Sequence, residues 1–369
     1  MKHPLLAASI TTLALIACRG ASCAAPAAAP GAAAQTRAAA AAAQAFLQTL
    51  SVEQRGQVQF DFAPQPKAGA AAFKGGMNGR MSFVGEQYGK AVWSNYPVSD
   101  VPRPGLALGK LNGPQRQAAL HVLQAILSAK GYDKVQAIMG SDQALSEGGT
   151  NYASGIAHYT IGIFGKPGAA SPWMVQFGGH HLGLNVVIAG ARGTMTPALT
   201  GAQPAVYQRD GKTVRVLARE NDKAFDLLAA LTPAQRKQAV LDYEVGDLVL
   251  GPGHDGDTIV PEGVKGAALD ARQRDMLLDL IGEWAGIIND AYAAPRMAKL
   301  RAGLDQTYFA WSGPQTHEPG KNGAAYYRIQ GPRVVIEFAP QAPGGDLTMH
   351  VHTVYRDPAE AYGQVRATP

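Results

Sequence analysis

WMVQFGGHHLGLNVVIAG, Trp173 to Gly190, is the stretch on which the fold turns. Apolar residues recur at every second position up to Gly178-Gly179, two histidines follow, and a second extended run covers Leu182 to Ala189. Side chains on a strand alternate between faces, so this spacing predicts extended segments on both sides of a tight step. Glycine within a strand marks a bend, a bulge or a close approach of the backbone to another group. The stretch therefore reads as a bent strand or hairpin that aims His180 and His181. A second histidine pair, His350 and His352, lies far away in LTMHVHTVYRD. Residues i and i+2 of a strand share a face, about 7 Å apart, so that pair can reach one ion.

Outward from the hairpin, extended runs cluster toward the C-terminus. Gln306 to Trp311, Ala324 to Gln330, Arg333 to Ala339 and Leu347 to Tyr355 form a meander, with GPR and APQAPGGD as turns. Val58 to Phe62 and Met81 to Val84 read as an early strand pair, and Ala157 to Phe164 as a strand near the hairpin. Helices fall in blocks of their own. Leu50-Ser51-Val52-Glu53-Gln54-Arg55 resembles the segments Leu111–Arg116, Leu231–Arg236 and Leu269–Arg274. Each sets a capping residue three positions before a Gln, so side chain and backbone satisfy each other at a helix start. The copies are irregularly spaced, which excludes a solenoid. Amphipathic helices follow: Leu120, Leu123, Ile126 and Leu127 share one face, and Leu277, Leu280, Ile281, Trp284 and Ile288 another. Ala224 to Ala230 with Arg236 to Leu241 reads as a helix pair, and Pro295 to Leu304 as a short helix. Blocks of each kind predict an α+β fold, a largely antiparallel sheet with packed helices, as a single domain over residues 35–363.

The preceding residues read as an address. Lys2 and the apolar run Leu5 to Ala17 have the form of a signal peptide over residues 1–17, too short to span a bilayer. Leu15-Ile16-Ala17-Cys18 is lipobox-like and makes Cys18 the lipidated first residue; ordinary secretory cleavage nearby is the alternative. An Ala/Pro-rich tether over residues 18–34 follows. The expected location is the cell envelope or periplasm, touching membrane only through the anchor. Cys23, in the tether, is the other cysteine, which excludes a disulfide, a thiolate ligand and a thiol nucleophile in the domain. The net charge of +5 is scattered without Lys/Arg blocks, which argues against nucleic acid as a partner.

Several imidazoles without a thiolate suit a transition metal such as zinc, copper or iron and disfavour calcium or magnesium. His180, His181, His350 and His352 are the candidate ligands. The bland alternative is that H-x-H holds two solvated or hydrogen-bonded side chains. Glu337, mid-strand in RVVIEFAP, is a candidate ligand or general base, or else an edge-strand charge facing water. Arg356, followed by Asp357, could orient a ligand or a neighbouring group, or form a strand-end salt bridge. GPGHDG, Gly251 to Gly256, matches a dinucleotide-binding pattern in letters, but Pro252 and the following DTIVPEG exclude the helix it requires. There is no H-E-x-x-H, G-x-S-x-G or P-loop.

These residues resemble the bacterial family known as domain of unknown function 3500. The resemblance rests on Phe164 to Pro167, Trp173 with Gly179 to Leu182, Thr196 to Pro204 and His350 to Pro358, with the LTPAQR and FAWSG segments, and spans roughly Gln35 to Gly363. It implies one domain in an exported bacterial protein and no particular reaction. Three functions are then open. One is a metal-dependent enzyme, hydrolytic or oxidative, acting on an unknown small molecule; another is a lipoprotein that binds a metal or small ligand without turnover; the third is a protein whose histidines are structural. The separation of the imidazoles decides among them.

Overall fold

The computed structural model describes residues 31–76, 78–150 and 154–366. Trp173–Gly179 and Leu182–Ala189 form an antiparallel hairpin, Gly179 lies opposite Leu182, and His180-His181 is the two-residue turn. On one side the sheet continues through Thr160–Phe164 to Gln59–Phe60, a parallel neighbour. On the other it runs through Ala198–Ala202, Val351–Arg356, Val334–Pro340, Tyr326–Gly331 and Tyr308–Ser312 to Val264–Lys265, all antiparallel. The fold is α+β as expected.

Its two faces are covered differently, and strand alternation sorts them. Thr353 points to the helices, where Trp284 Nε1 donates to its hydroxyl at 2.9 Å. Its neighbour Val354 points the other way and packs with Leu199 and Trp93. Trp93 ends a separate three-stranded sheet, Gly69–Gly75, Met81–Tyr88 and Ala91–Trp93, laid over that face. Full burial of a Leu or Val side chain stabilises by about 1.5–3 kcal/mol, so both interfaces hold the sheet.

All four capping boxes form, with Ser51, Asn112, Thr232 and Asp270 as the N-caps. They also pair. Gln54 and Gln115 exchange amide hydrogen bonds, and Gln235 and Gln273 do the same. That pairing belongs to a larger duplication. The first half runs Ala32–Gln48, Val52–Val58, Gly113–Ile126 and Ala129–Glu147 as helices, then Thr160–Phe164, Trp173–Gly179, Leu182–Ala189 and Ala198–Ala202 as sheet strands, with the short Arg192–Thr194 inserted beside the third. The second runs Ala218–Ala230, Pro233–Ala239, Ala271–Ala285 and Asp290–Ala302, then four strands ending at Val351–Arg356. Even the short parallel pairing recurs, as the Val240–Trp311 bridge. The last strands of the two halves pair at the centre of the sheet, with Thr200 opposite Thr353. The recurring sequence pattern therefore reports a twofold repeat, too diverged outside its helix starts to be read as one.

Several expectations change. Gln59–Phe60 does not pair with the Met81 strand, whose partner is Gly69–Gly75. The first helix begins at Ala32, inside the expected tether, and Pro295 lies within its helix instead of starting it. The 19-residue helix Ala129–Glu147 was not expected at all. The signal peptide, Cys18 and Cys23 lie outside the described residues. Among the described residues no helix is long and apolar enough to cross a membrane.

Candidate metal centre

The strand Ala198–Ala202 brings the two histidine segments together. It pairs with Leu182–Ala189 on one side, Thr200 opposite Leu182, and with Val351–Arg356 on the other, Gly201 opposite His352. The His180-His181 turn and the start of the His352 strand are thereby held at one end of the sheet. Gly201 lies between them and supplies room. A methyl group there would sit 3.3 Å from His181 Cδ2 and 3.4 Å from His352 Cδ2.

His350 Nε2 lies 3.2 Å from His181 Nε2 and 3.2 Å from His352 Nε2. Ligand nitrogens on a tetrahedral ion with bonds of about 2.0–2.1 Å stand roughly 3.3 Å apart. The three rings are buried, His181 completely. Their outer nitrogens have backing of graded quality. His350 Nδ1 is 2.8 Å from the Pro343 carbonyl, which can only accept, so that nitrogen carries the proton and Nε2 presents its lone pair. His352 Nδ1 is 3.4 Å from the Asn95 amide nitrogen, a donor; turning that amide to present Oδ1 instead sets the ring proton on Nδ1 and frees Nε2. His181 Nδ1 faces Asp142 Oδ1 at 3.8 Å, too far for a hydrogen bond.

A single ring proton on His181 satisfies only one of its two neighbours, and burial disfavours the doubly protonated ring. If His181 carries its proton on Nδ1, toward Asp142, its Nε2 lone pair faces that of His350. If the proton is on Nε2, the Nδ1 lone pair faces a carboxylate. One cation at the common point removes the conflict: His181 then keeps its proton on Nδ1, toward Asp142, and turns its Nε2 lone pair to the ion beside that of His350.

The electrostatics agree. Burial pushes the His181 imidazole down to about 3, with His180 adding to the effect. Burial also lowers His350, and holds His352 well below the usual range together with His181 and His350. Neutral imidazoles are the form that binds metal. Burial opposes ionisation of Asp142, yet the two neighbouring imidazoles keep its carboxyl below the usual carboxylate range. Arg103, buried and lowered to about 9 chiefly by desolvation, donates to the Ser94 and Tyr96 carbonyls at 2.8 and 2.5 Å. It thereby fixes the loop that carries Asn95.

His180 does not join the three. Its ring stacks on His181 with centroids 3.9 Å apart, and its Nδ1 is 3.2 Å from Asp142 Oδ1. Glu337 and Arg356 are not at the centre either, which corrects the roles expected for them. Opposite residues of a sheet share a face, and Ala339 lies opposite His352 while Glu337 lies opposite Val354. Glu337 is thus on the histidine face but about 7 Å further along. Its carboxylate accepts from Val249 N at 2.8 Å, Leu250 N at 2.7 Å and the Tyr326 hydroxyl at 2.6 Å, and so serves structure. Arg356 donates to Glu86 and to the carbonyls of Leu250 and Gly251, clamping the small sheet and a loop onto the large one. Asp142, Asn95, Arg103 and Gly201 were missed. A carboxylate on a helix and a glycine on a short strand carry no local sign of a distant histidine.

The equivalent place in the second half is filled otherwise. The turn matching His180-His181 is Pro332-Arg333, since Gly331 lies opposite Val334. Arg333 donates to Asp357 at 2.8 Å, and Arg296 binds the same carboxylate from the helix that matches the one bearing Asp142. One end of the repeat holds imidazoles; the other is closed by ion pairs.

Fold and site together define an α+β protein with a buried cluster of three histidines that could hold a metal ion. The chain matches the family described as "Protein of unknown function (DUF3500)" over residues 78–364, and it belongs to that family. The matched stretch starts later than the Gln35 of the resemblance and contains every histidine of the cluster. No curated protein and no solved structure matches it.

Proposed function

We propose that this is an exported metal-dependent enzyme whose ion is held by Nε2 of His181, His350 and His352. The observation that carries this reading is the convergence of three buried Nε2 atoms, two of the separations being 3.2 Å, the spacing of ligands on one ion. Three neutral nitrogen ligands suit zinc, copper or iron and leave a coordination position for water or substrate. An ion in such a site acidifies its bound water and polarises an oxygen of the substrate, which is the chemistry of hydrolysis. The chain's own part is to fix the rings, through the Pro343 carbonyl and Asn95, and to keep bulk water out. Elemental analysis of protein purified without added metal is expected to find a bound ion, lost when His350 and His352 are both replaced by Ala. Protein that neither retains nor takes up a stoichiometric transition metal would end this reading.

A second reading, a metal holder without turnover, is favoured by the burial of the ligands. Substitution by Co(II) separates the two. An open position gives a visible spectrum that shifts on adding azide; a closed cage gives one that does not.

A further inference from the structure

We infer that His181 bridges two ions, and that a second cation site lies on its other edge, formed by His181 Nδ1, His180 Nδ1 and Asp142 Oδ1. This deepens the metal reading above and rests on it.

His181 offers one nitrogen to each of two ligand clusters. Its Nε2 faces His350, and its Nδ1 faces Asp142 at 3.8 Å. His180 Nδ1 is 3.2 Å from the same carboxylate oxygen. The candidate ligand atoms of Asp142, His180 and His181 all lie within 4.8 Å of one another, a grouping separate from that of the three Nε2 atoms. The stacked rings are tilted by 28°, and both present Nδ1 to Asp142.

An unmatched atom points to an occupant. His181 Nδ1 is fully buried without a hydrogen-bond partner. Buried polar atoms in folded proteins are nearly always matched, so one aimed at a carboxylate and a second imidazole calls for a ligand. A separation of 3.8 Å is long for a hydrogen bond and ordinary for two ligands of one ion. The other oxygen of Asp142 accepts from Gly155 N at 2.9 Å, which fixes the carboxylate and leaves Oδ1 turned to the imidazoles. One carboxylate and two imidazoles suit a divalent first-row ion such as Zn(II) or Cu(II). When both sites fill, His181 becomes an imidazolate: its ring N–H proton leaves to solvent, and each nitrogen gives its lone pair to one ion. His180 lies at the outer edge of the pair, its side chain 11 % exposed, so the second ion has a route from solvent.

The test loads the metal-free full-length protein with Zn(II), removes the excess and counts ions per chain, for the native protein, Asp142→Asn and His180→Gln. Because Asp142 is buried and hydrogen-bonded to the backbone, the partly exposed His180 supplies the variant that retains the fold. Two ions in the native chain and one in His180→Gln is the expected result. Loading with Cu(II) is then expected to give an exchange-coupled pair in the EPR spectrum, absent from His180→Gln. One ion in the native chain and one in His180→Gln overturns the bridge and leaves the three-histidine site standing. Two ions in both overturns the assignment of ligands. No ion in any of them overturns both readings.

Discussion

Gly201→Ala separates a packed histidine cluster from one arranged around an ion. The new methyl group would stand 2.7 Å from the Val351 carbonyl oxygen, with the His181 and His352 rings at 3.3 and 3.4 Å. Non-bonded heavy atoms are most comfortable at about 3.5 Å or more, so the Val351 carbonyl must retreat by roughly 0.8 Å. Val351 lies between His350 and His352, so that retreat moves two ligands at once. Overpacking costs about 1–3 kcal/mol, and removing a strand glycine returns about 0.5–1 kcal/mol, leaving a net loss of roughly 1–2 kcal/mol. Metal sites tolerate about 0.2 Å of ligand displacement, so affinity is expected to fall about 10–100-fold, on the scale of losing a ligand's supporting hydrogen bond. Zn(II) affinity from chelator competition and the melting temperature of the metal-free protein read the two effects separately. Gly193→Ala is the control. Its methyl group would meet the Tyr292 ring at 2.6 Å, at the far end of the hairpin from the histidine turn, so it should cost stability and leave affinity unchanged. If Gly201→Ala binds the ion as tightly as the native chain, the cluster is not held to metal-site tolerance and the reasoning fails.

The metal-free protein should weaken as pH falls. An unfolded histidine takes a proton near pH 6.5, whereas folded His181 stays neutral to about 3 and His350 and His352 are lowered too. The unfolded chain therefore binds more protons over that window, and stability is full above it and lost on acidification, by roughly 1 kcal/mol per pH unit for each such residue. Urea midpoints that stay flat between pH 7 and 5.5 would contradict this. Asn95→Ala should weaken Zn(II) binding by about tenfold with little change in melting, because it removes the contact behind His352 Nδ1; equal affinity in competition titrations would show that Asn95 does not set that ring. Glu337→Gln should keep the full complement of metal and lower stability by about 1–3 kcal/mol, since its two backbone donors then lose a charged acceptor; loss of the ion would restore Glu337 to the site. 

What could be read in the sequence was whatever local geometry decides. The four capping boxes were legible because an N-cap and its Gln satisfy one another within one turn of helix. Extended segments beside the glycines were legible from the apolar pattern, but bent strand and hairpin both stayed open; the structure is a hairpin that keeps Gly178 and Gly179 in the strand and turns at His180-His181. The convergence of His181 with His350 and His352 depends on Ala198–Ala202, five residues of which two are alanine and one is glycine. Nothing in that composition announces a central strand, and its register is set by partners on both sides. Glu337 shows how narrow the margin is. Its face was left open in the sequence, because the loop from Gln341 to His350 gives no means of counting the register; the structure puts it on the histidine face, two residues from the partner of His352. The duplication supplies a constraint that no single strand holds. Both halves build the same turn at the same place, yet one carries His180-His181 beside Asp142 and the other Pro332-Arg333 beside Arg296 and Asp357. A scaffold that needed only packing there could close both ends with the same ion pairs. That one end instead gathers three buried rings with two Nε2 separations of 3.2 Å is the physical reason for proposing an ion there.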